Sequence, residues 1–466
     1  MDKNVFRSPR DHPLSTFSID VDTASMSNVR NLIENRRIPP EGAVRIEEML
    51  NYFQYDYPQP EGDVPFSVTT EIARCPWNPK HRLVLIGVQG KRIETENVPP
   101  RNLVFLLDVS GSMTSPDKLP LVQAAMKLLT KQLGEQDRVS MVVYAGASGV
   151  VLEPTDGSRK QTILAAIDRL RGGGSTNAGA GIQLAYDLAR KNFDEEGINR
   201  VILATDGDFN VGITSRSALT KLIVRERESG VFLTVLGVGR GNLKDSQMEM
   251  LADRGNGNYA YLDSITEAEK VLVRDASGTL ITIAKDVKIQ VEFNPDLVGS
   301  YRLIGYENRK LAAHDFNDDR KDAGEIGGGH SVTALYEITS PEENAANSSV
   351  DPLRYQSGRK TDGPELQDEV MFVKLRYKQP TGDRSRLIQI PVGDPGNVSF
   401  GTASRDFRFA AAVATFGMAL RQSEDMGNAS FALAKELLVG TEGEDPHHER
   451  RALGELIDKA ATLIGN

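Results

Sequence analysis

The chain has 466 residues, which is too long for one ordinary hydrophobic core and predicts two to four structural units. Its 55 basic and 65 acidic residues give a net charge of −10, and the sequence contains no long run of Lys and Arg residues. Nucleic acid and anionic membrane surfaces are therefore disfavoured as the main ligands. Cys75 is the only cysteine, which excludes an internal disulfide and a cysteine-based zinc site.

The apolar segments are too short to predict a membrane span. The residues that follow Met1 are polar, which predicts no signal peptide within this sequence. The most apolar helical stretch, residues 409–420, has about 12 residues, whereas a membrane-spanning helix needs ~20. We therefore expect this stretch to be a buried helix.

The N-terminal quarter of the chain predicts helices followed by strands. Residues 23–53 have a helical pattern, because Ile46, Met49, Leu50 and Phe53 recur at helical spacing. Residues 66–93 contain short runs of β-type residues, which predict strands. Two consecutive prolines at positions 99 and 100 then mark a boundary.

From residue 102, apolar strands alternate with amphipathic helices over about 170 residues. Residues 103–107 are continuously apolar, as in a strand that is buried on both faces of a parallel sheet. Further strands are predicted at residues 139–144, 150–152 (an edge strand), 201–204, 231–236 and 259–262. This alternation predicts a doubly wound α/β domain with a mostly parallel, Rossmann-like sheet and helices on both faces.

After residue 264 the pattern changes to strands with alternating polar and apolar residues. These strands are predicted at residues 286–293, 331–338, 370–377 and 387–390. With the strands of residues 66–93 they can form two layers, so we predict a β-sandwich into which the α/β domain is inserted. From residue 405 the pattern is helical again. The predicted domains are an N-terminal helical segment (1–57), a discontinuous β-sandwich (58–100 plus 280–400), the α/β domain (101–275) and a C-terminal helical region (401–466).

Oxygen-bearing side chains follow two strands of the predicted α/β domain, and another lies in one of its crossover loops. Asp108, Ser110 and Ser112 follow the first strand, Thr176 lies in a Gly-rich loop, and Asp206 follows a later strand. Each motif alone is typical of a helix cap or a turn. However, all three lie at the edge where the carboxyl ends of parallel strands meet. Two carboxylates and three hydroxyls are hard donors that favour Mg²⁺, Mn²⁺ or Ca²⁺ over zinc or copper, so we predict a metal site.

These motifs resemble the metal-ion-dependent adhesion site of von Willebrand factor type A (VWA) domains. The resemblance implies that Asp108, Ser110 and Ser112 are the D-x-S-x-S ligands, Thr176 the loop threonine and Asp206 the distal aspartate. It also implies Mg²⁺ as the cation, with Mn²⁺ or Ca²⁺ as alternatives. The flanks resemble bacterial YfbK-type proteins, so the resemblance covers nearly the whole chain. The flanking segments that carry it are residues 13–25, 44–53, 372–377 and 406–413.

The resemblance also implies a location and a conformational switch. YfbK-type proteins usually carry a lipoprotein signal and lie outside the cytoplasm. We therefore expect a cell-envelope protein, periplasmic or surface-exposed, that associates with a membrane only through a lipid anchor absent from this sequence. In VWA domains, ligation can be coupled to sliding of the last helix, which we place near residues 247–254. The family has no defined biochemical activity to transfer.

Three functions remain open from the sequence. The first is a non-enzymatic protein-binding module, in which the cation bridges to an Asp or Glu carboxylate of a partner protein. The second is a scaffold in which the cation only stabilises the fold. The third is a metal-assisted hydrolase. It is disfavoured because no histidine falls near the motifs and no general base is evident besides the ligands.

Two further acidic groups carry weaker signals. Asp20 and Asp22 match only part of a phosphohydrolase motif, and we predict that they open the first helix as a cap. A second cation at these two residues is an open alternative. Asp315, Asp318 and Asp319 are predicted to belong to a solvated loop.

Overall fold

The part of the chain that the computed structural model describes contains three β-sheets and two groups of helices. One sheet is mostly parallel and two are antiparallel. The structure describes residues 3–19, 21–93, 98–146, 148–174, 178–207, 216–239, 245–276, 280–343 and 368–465.

The N-terminal part begins with a strand that the sequence did not predict. The elements in chain order are β1 (Leu14–Ser18), α1 (Ala24–Glu34), α2 (Ile46–Asn51), β2 (Phe66–Arg74) and β3 (Arg82–Gly90). Strand β1 lies within the predicted N-terminal helical segment, so that segment is not helical throughout. It exists because it pairs with a distant strand of the sandwich and buries Phe17 completely, and neither contact is encoded in its own five residues.

The central α/β domain has a six-stranded sheet with helices on both faces. Its strands are β4 (Arg101–Asp108), β5 (Arg138–Tyr144), β6 (Ser148–Asp156), β7 (Ile198–Thr205), β8 (Phe232–Val238) and β9 (Tyr259–Leu262). Its helices are α3 (Leu119–Gln132), α4 (Lys160–Arg169), α5 (Ala178–Lys191), α6 (Arg216–Glu228), α7 (Asp245–Arg254) and α8 (Ile265–Glu269). The strand order is β6-β5-β4-β7-β8-β9, and every pair is parallel except β5 with the edge strand β6. A hydrophobic core lies on each face, which confirms the doubly wound prediction.

The last helix of this domain follows β9, so its predicted position near residues 247–254 is wrong. That segment is α7, which precedes β9. The last helix is α8, which begins after the cap Ser264 and continues as a π-helical turn over Lys270–Arg274. A helix of five residues is too short to show an amphipathic period, so the sequence pattern gave no sign of it.

Two antiparallel sheets form the predicted sandwich. Its remaining strands are β10 (Thr282–Phe293), β11 (Ser300–Ile304), β12 (Gly324–Gly327), β13 (Ser331–Thr339), β14 (Glu369–Lys378) and β15 (Ser385–Gly393). One sheet has the order β1-β10-β14-β15, with β12 also paired to β10, and the other has the order β11-β13-β3-β2. Phe17 and Ile289 from the first sheet meet Ile86 and Tyr336 from the second in one core. Because the α/β domain lies between β3 and β10 in the chain, the sandwich is discontinuous, as predicted.

Helices from both ends of the chain cover the outer face of the β11-β13-β3-β2 sheet. The C-terminal helices are α9 (Arg405–Arg421), α10 (Phe431–Leu438) and α11 (Glu449–Ile464). With α1 and α2 they bury Leu85 and Leu335 of that sheet. Trp77 is buried in the same core and donates its Nε1–H to Glu337 at 3.0 Å. Among the described residues, no helix is long and apolar enough to cross a membrane.

Candidate metal centre

Strand β4 places Asp108 at the carboxyl end of the central sheet. Its neighbours β5 and β7 cover both edges of the strand, and Asp108 is only 1% exposed. The chain then turns: the Ser110 backbone N–H donates to Asp108 Oδ1 at 2.9 Å, and the hydroxyls of Ser110 and Ser112 lie 3.0 Å apart. The D-x-S-x-S segment therefore gathers one carboxylate and two hydroxyls within one turn.

The Gly-rich loop packs directly against this turn. The Gly111 N–H donates to the Gly174 carbonyl at 3.1 Å, and the Gly173 N–H donates to the Val109 carbonyl at 2.7 Å. Gly174 has a φ of +92°, a conformation that side chains disfavour. Thr176, the predicted ligand of this loop, lies outside the described residues, so its place in the site stays a prediction.

Asp206 follows β7, the strand beside β4, and is buried at 4% exposure. The preceding residue, Thr205, links the two strand ends because its hydroxyl donates to Asp108 Oδ2 at 3.3 Å. The Gly207 N–H in turn donates to the Thr205 hydroxyl at 3.2 Å. Asp108, Ser110, Ser112 and Asp206 therefore occupy the same edge of the sheet. The sequence pattern around Asp206 predicts no role for Thr205, the residue directly before it.

Lys118 is a second residue of this site that the sequence did not reveal. Its ammonium group donates to Asp206 Oδ2 at 2.8 Å and to the Ser112 carbonyl at 3.0 Å. Its aliphatic stem passes over Gly239, where an added Cβ would lie 2.3 Å from Lys118 Cε. The Asp206 carboxylate and the Ser112 carbonyl are therefore already bound to one positive charge, the Lys118 ammonium. Nothing in the local pattern around Lys118 signals this contact, because Asp206 is 88 positions away in the chain.

The electrostatics of the site favour a cation. Burial raises the pKa of Asp108, and the nearby charge of Asp206 adds to that rise, while hydrogen bonds from Ser110 and Thr205 oppose it. Burial and the charge of Asp108 likewise raise the pKa of Tyr144 well above its ordinary range. Two buried carboxylates in a shell of hydroxyls fit a hard divalent cation, which would neutralise both charges.

Asp22 has a different environment from the predicted helix cap. Thr23, the N-cap residue of α1, makes no side-chain hydrogen bond to the helix. The Asp22 carboxylate instead accepts hydrogen bonds from the Tyr259 N–H at 2.7 Å and from Arg309 at 3.0 Å. It therefore joins the start of α1 to β9. Asp20, its partner in the alternative second cation site, lies outside the described residues.

Family models match most of the chain in three segments. They are described as "von Willebrand factor" (residues 1–85), "von Willebrand factor type A domain" (residues 102–275) and "Uncharacterized protein YfbK, C-terminal" (residues 278–463). With the sheet order and the oxygen cluster at the ends of β4 and β7, the second match defines the central domain as a VWA domain. Domains of this class commonly act as protein-interaction modules, and they often bind a divalent metal.

The whole chain is 44% identical over 466 residues to "Uncharacterized protein YfbK" of Escherichia coli (strain K12), covering 98% of this chain and 80% of that relative. The chain belongs to the YfbK family of VWA-domain proteins. It is also 29% identical over 155 residues to mouse "Inter alpha-trypsin inhibitor, heavy chain 4", covering 31% of this chain and 16% of that one. Among solved structures, a von Willebrand factor type A protein from Catenulispora acidiphila has a TM-score of 0.46 at 16% identity, covering 85% of this chain and 92% of that chain.

Proposed function

We propose that this protein is a non-enzymatic, divalent-cation-dependent protein-binding module. Asp108, Ser110, Ser112, Thr176 and Asp206 would hold the cation, which is Mg²⁺ or, alternatively, Mn²⁺ or Ca²⁺. The observation that carries the proposal is that two buried carboxylates, Asp108 and Asp206, lie with two hydroxyls at the carboxyl ends of β4 and β7. The two hydroxyl oxygens are 3.0 Å apart. Oxygen donors of this kind select hard divalent cations.

The charge and exposure of the site favour an acidic partner. Two carboxylates balance one divalent cation, while the hydroxyl ligands add no charge. Ser112 is exposed, so the site faces solvent on that side. If a cation binds Asp206, the Lys118 ammonium loses its ion-pair partner. The ammonium stays at the same edge of the sheet and makes the local electrostatic potential more positive. A carboxylate of a partner protein suits both the open coordination position and this potential.

Binding suits the site better than catalysis. Asp108 accepts a hydrogen bond from the Thr205 hydroxyl, and Asp206 accepts one from the Lys118 ammonium. A metal-assisted hydrolase needs a group besides the metal ligands that accepts or donates a proton. Hydroxyls are poor general bases, and an ammonium group has no lone pair with which to accept a proton from water. We therefore infer that the cation bridges two proteins rather than activating water.

We also propose that the protein lies in the cell envelope, periplasmic or surface-exposed, and is held there by a lipid anchor outside the present sequence. The support is the lipoprotein pattern of YfbK-type proteins. Fractionation of the source cells, followed by immunoblotting, tests the location. Recovery of the protein in the cytosolic fraction would contradict it.

A pull-down from solubilised envelope extract tests the binding function. Wild-type protein and Asp108→Ala are each used as bait with Mg²⁺ or with EDTA. Asp168→Ala is the matched control, because Asp168 belongs to the same domain but has a side chain that is 61% exposed and pairs with Lys127. We expect a partner that is retained only by the wild type and the control, and only with Mg²⁺. Partners that ignore both the mutation and the chelator would contradict the proposal.

A further inference from the structure

We propose a second divalent-cation site, formed by Asp286, Asp322 and Glu325 at the junction of the β-sandwich and the VWA domain. One carboxylate oxygen from each of the three residues lies within 4.8 Å of the others. Asp286 belongs to β10 and Glu325 to β12, and the two strands pair irregularly here, with Ala284 opposite Ile326 and Val287 opposite Gly324. This site is separate from the Asp108 site and does not rest on the function proposed above.

The VWA domain contributes the charged groups on the other side of the junction. Asp322 accepts a hydrogen bond at 2.6 Å from Arg227, near the end of α6, and lies 3.8 Å from Arg254, at the end of α7. These helix ends lie at the opposite edge of the sheet from Asp108, because helices that cross between parallel strands run antiparallel to them. An ion at the three carboxylates would therefore sit where the sandwich meets the base of the VWA domain.

Glu325 is the residue that points to a ligand. It is only 6% exposed, and its Oε1 accepts no hydrogen bond from any residue that the structure describes. Burial raises the pKa of Glu325 well above its ordinary range, and the charges of Asp322, Asp286 and Asp253 raise it further, against the opposing effect of Arg227. A buried carboxyl group that faces other carboxylates must be neutralised by a proton or by a cation.

The other two carboxylates keep oxygen lone pairs for an ion. Asp286 accepts hydrogen bonds from the Ala323 N–H at 3.2 Å and from Lys378 at 2.7 Å. Its φ of +54° is rare for a residue other than glycine, and the paired strands around it hold this conformation. An ionised carboxylate offers about four acceptor positions, so these contacts do not exhaust it. Lys378 contacts Asp286 and Arg227 contacts Asp322, while the buried Arg200 lies close enough to Glu325 for their charges to interact.

Ca²⁺ fits this cluster better than Mg²⁺. The three carboxylates come from a strand, a loop and a second strand, and they supply only part of a coordination shell. Ca²⁺ accepts irregular sets of six to eight oxygens, whereas Mg²⁺ demands near-ideal octahedral geometry. Because two cationic side chains already contact the cluster, we expect weak binding, with a Kd of about 0.1–1 mM as in extracellular calcium modules. The sequence predicted a solvated loop at Asp315, Asp318 and Asp319, but all three are half-buried, and Asp315 lies in a 3₁₀-helix (Ala313–Asn317).

Calcium titration calorimetry of the full chain tests this site. Asp108→Ala serves as the background, because it removes the first site. We expect the background protein to bind one Ca²⁺. Adding Glu325→Gln should weaken that binding at least tenfold. Adding Glu292→Gln should leave it unchanged, because Glu292 lies in the same sandwich but its side chain is 51% exposed. Circular dichroism of each variant confirms that it is folded.

Two results would overturn the proposal. If the folded background protein binds no Ca²⁺ up to about 10 mM, well above the expected range of Kd, Glu325 is neutralised by a proton instead. If it binds Ca²⁺ equally well with and without Glu325→Gln, the ion lies elsewhere. Should Glu325→Gln fail to fold, Asp322→Asn takes its place, since Asp322 is less buried, and the same loss of binding is expected.

Discussion

Lys118 places a positive charge on the same carboxylate, Asp206, that the proposed cation would use. Two positive groups at one carboxylate oxygen repel each other, so the ammonium and the metal compete. We predict that Lys118→Met lowers the Kd for Mg²⁺ about tenfold, which corresponds to about 1.4 kcal/mol. Titration calorimetry measures this change.

Lys127→Met is the control for that measurement. Lys127 lies on α3, the helix that begins directly after Lys118, but its side chain is 40% exposed and pairs with Asp168. We expect its Mg²⁺ affinity to equal that of the wild type. An affinity of Lys118→Met that equals or falls below the wild-type value would show that Lys118 does not oppose the cation.

Glu337 gives a pH-dependent contribution to stability. It is almost fully buried, and it accepts hydrogen bonds from Trp77 at 3.0 Å, from Arg302 at 2.5 Å and from His81. Burial alone would raise the pKa of Glu337, but the hydrogen bond from His81 and the charge of Arg302 outweigh it and lower the pKa. The pKa of Glu337 in the folded state lies below its value in the unfolded chain, which is about 4.3. The charged Glu337 therefore stabilises the fold above pH ~4.3, and this stabilisation is lost as the pH falls through the folded-state pKa.

We predict that Glu337→Gln lowers the free energy of unfolding by about 3 kcal/mol at neutral pH, because it leaves the buried Arg302 without its charged acceptor. Urea unfolding at neutral pH and at about pH 3 measures the difference from the wild type. The difference should shrink at the acidic pH. A difference of the same size at both values would mean that the carboxylate charge contributes nothing.

At the scale of elements, two helical glycines have opposite packing roles. An added Cβ at Gly417 in α9 would lie 2.8 Å from Cγ1 of Ile46 in α2, which is too close without a shift of one helix. At Gly454 in α11 the nearest atom, in Leu438, is 3.8 Å away, an ordinary contact. Gly417 therefore permits close helix packing, whereas Gly454 only weakens its own helix.

We predict that Gly417→Ala destabilises the protein by about 1–2 kcal/mol, because overpacking outweighs the gain in helix propensity. Gly454→Ala should instead stabilise it by up to about 1 kcal/mol. Thermal and urea unfolding measure both changes. Equal effects of the two substitutions would contradict the packing role of Gly417.

Most elements that the sequence predicted have several periods of their own pattern. The apolar run of β4 and the long strands β10, β13 and β14 are examples, and the four-residue strand β9 is an exception. The short strands β1, β11 and β12 and the helix α8 have four or five residues each, and partners far away in the chain hold them in place. A period cannot be recognised in so few residues, so tertiary pairing decides their structure.

At the metal centre, too, the sequence revealed the residues in local motifs and missed those brought in by tertiary contacts. Asp108, Ser110 and Ser112 lie within five residues, and Asp206 follows a predicted strand, so local motifs located them. Lys118 approaches Asp206 only after the sheet has formed. The Asp286–Glu325 cluster likewise depends on the pairing of β10 with β12. Contacts of this kind have no local signature.

At the scale of the whole molecule, helices from both chain ends hold the last helix of the VWA domain. Arg30 of α1 donates to Asp263 and Glu267, at 2.6 Å each. Glu267 also accepts a hydrogen bond from the Tyr52 hydroxyl at 2.8 Å. Beyond α8, Lys270 forms an ion pair at 3.4 Å with Glu449 of α11. Movement of the last helix would therefore require these contacts to break.

We predict that Arg30→Met increases hydrogen exchange of residues 265–274 about 100-fold, because it leaves the buried Glu267 without its cationic partner, at a cost of about 3 kcal/mol. Hydrogen–deuterium exchange with mass spectrometry measures the change. Lys459→Met is the control, since Lys459 forms only an exposed pair with Glu34 of α1. Unchanged exchange in Arg30→Met would show that the N-terminal helix does not restrain this segment.

The most direct test of the central claim is an anomalous difference map from crystals soaked in Mn²⁺. We predict a peak between the carboxylates of Asp108 and Asp206 and the hydroxyls of Ser110 and Ser112, with the Lys118 ammonium moved away from Asp206. A peak only at the Asp286 cluster, or a saturated crystal in which Lys118 still contacts Asp206 and no ion lies beside Asp108, would contradict the account.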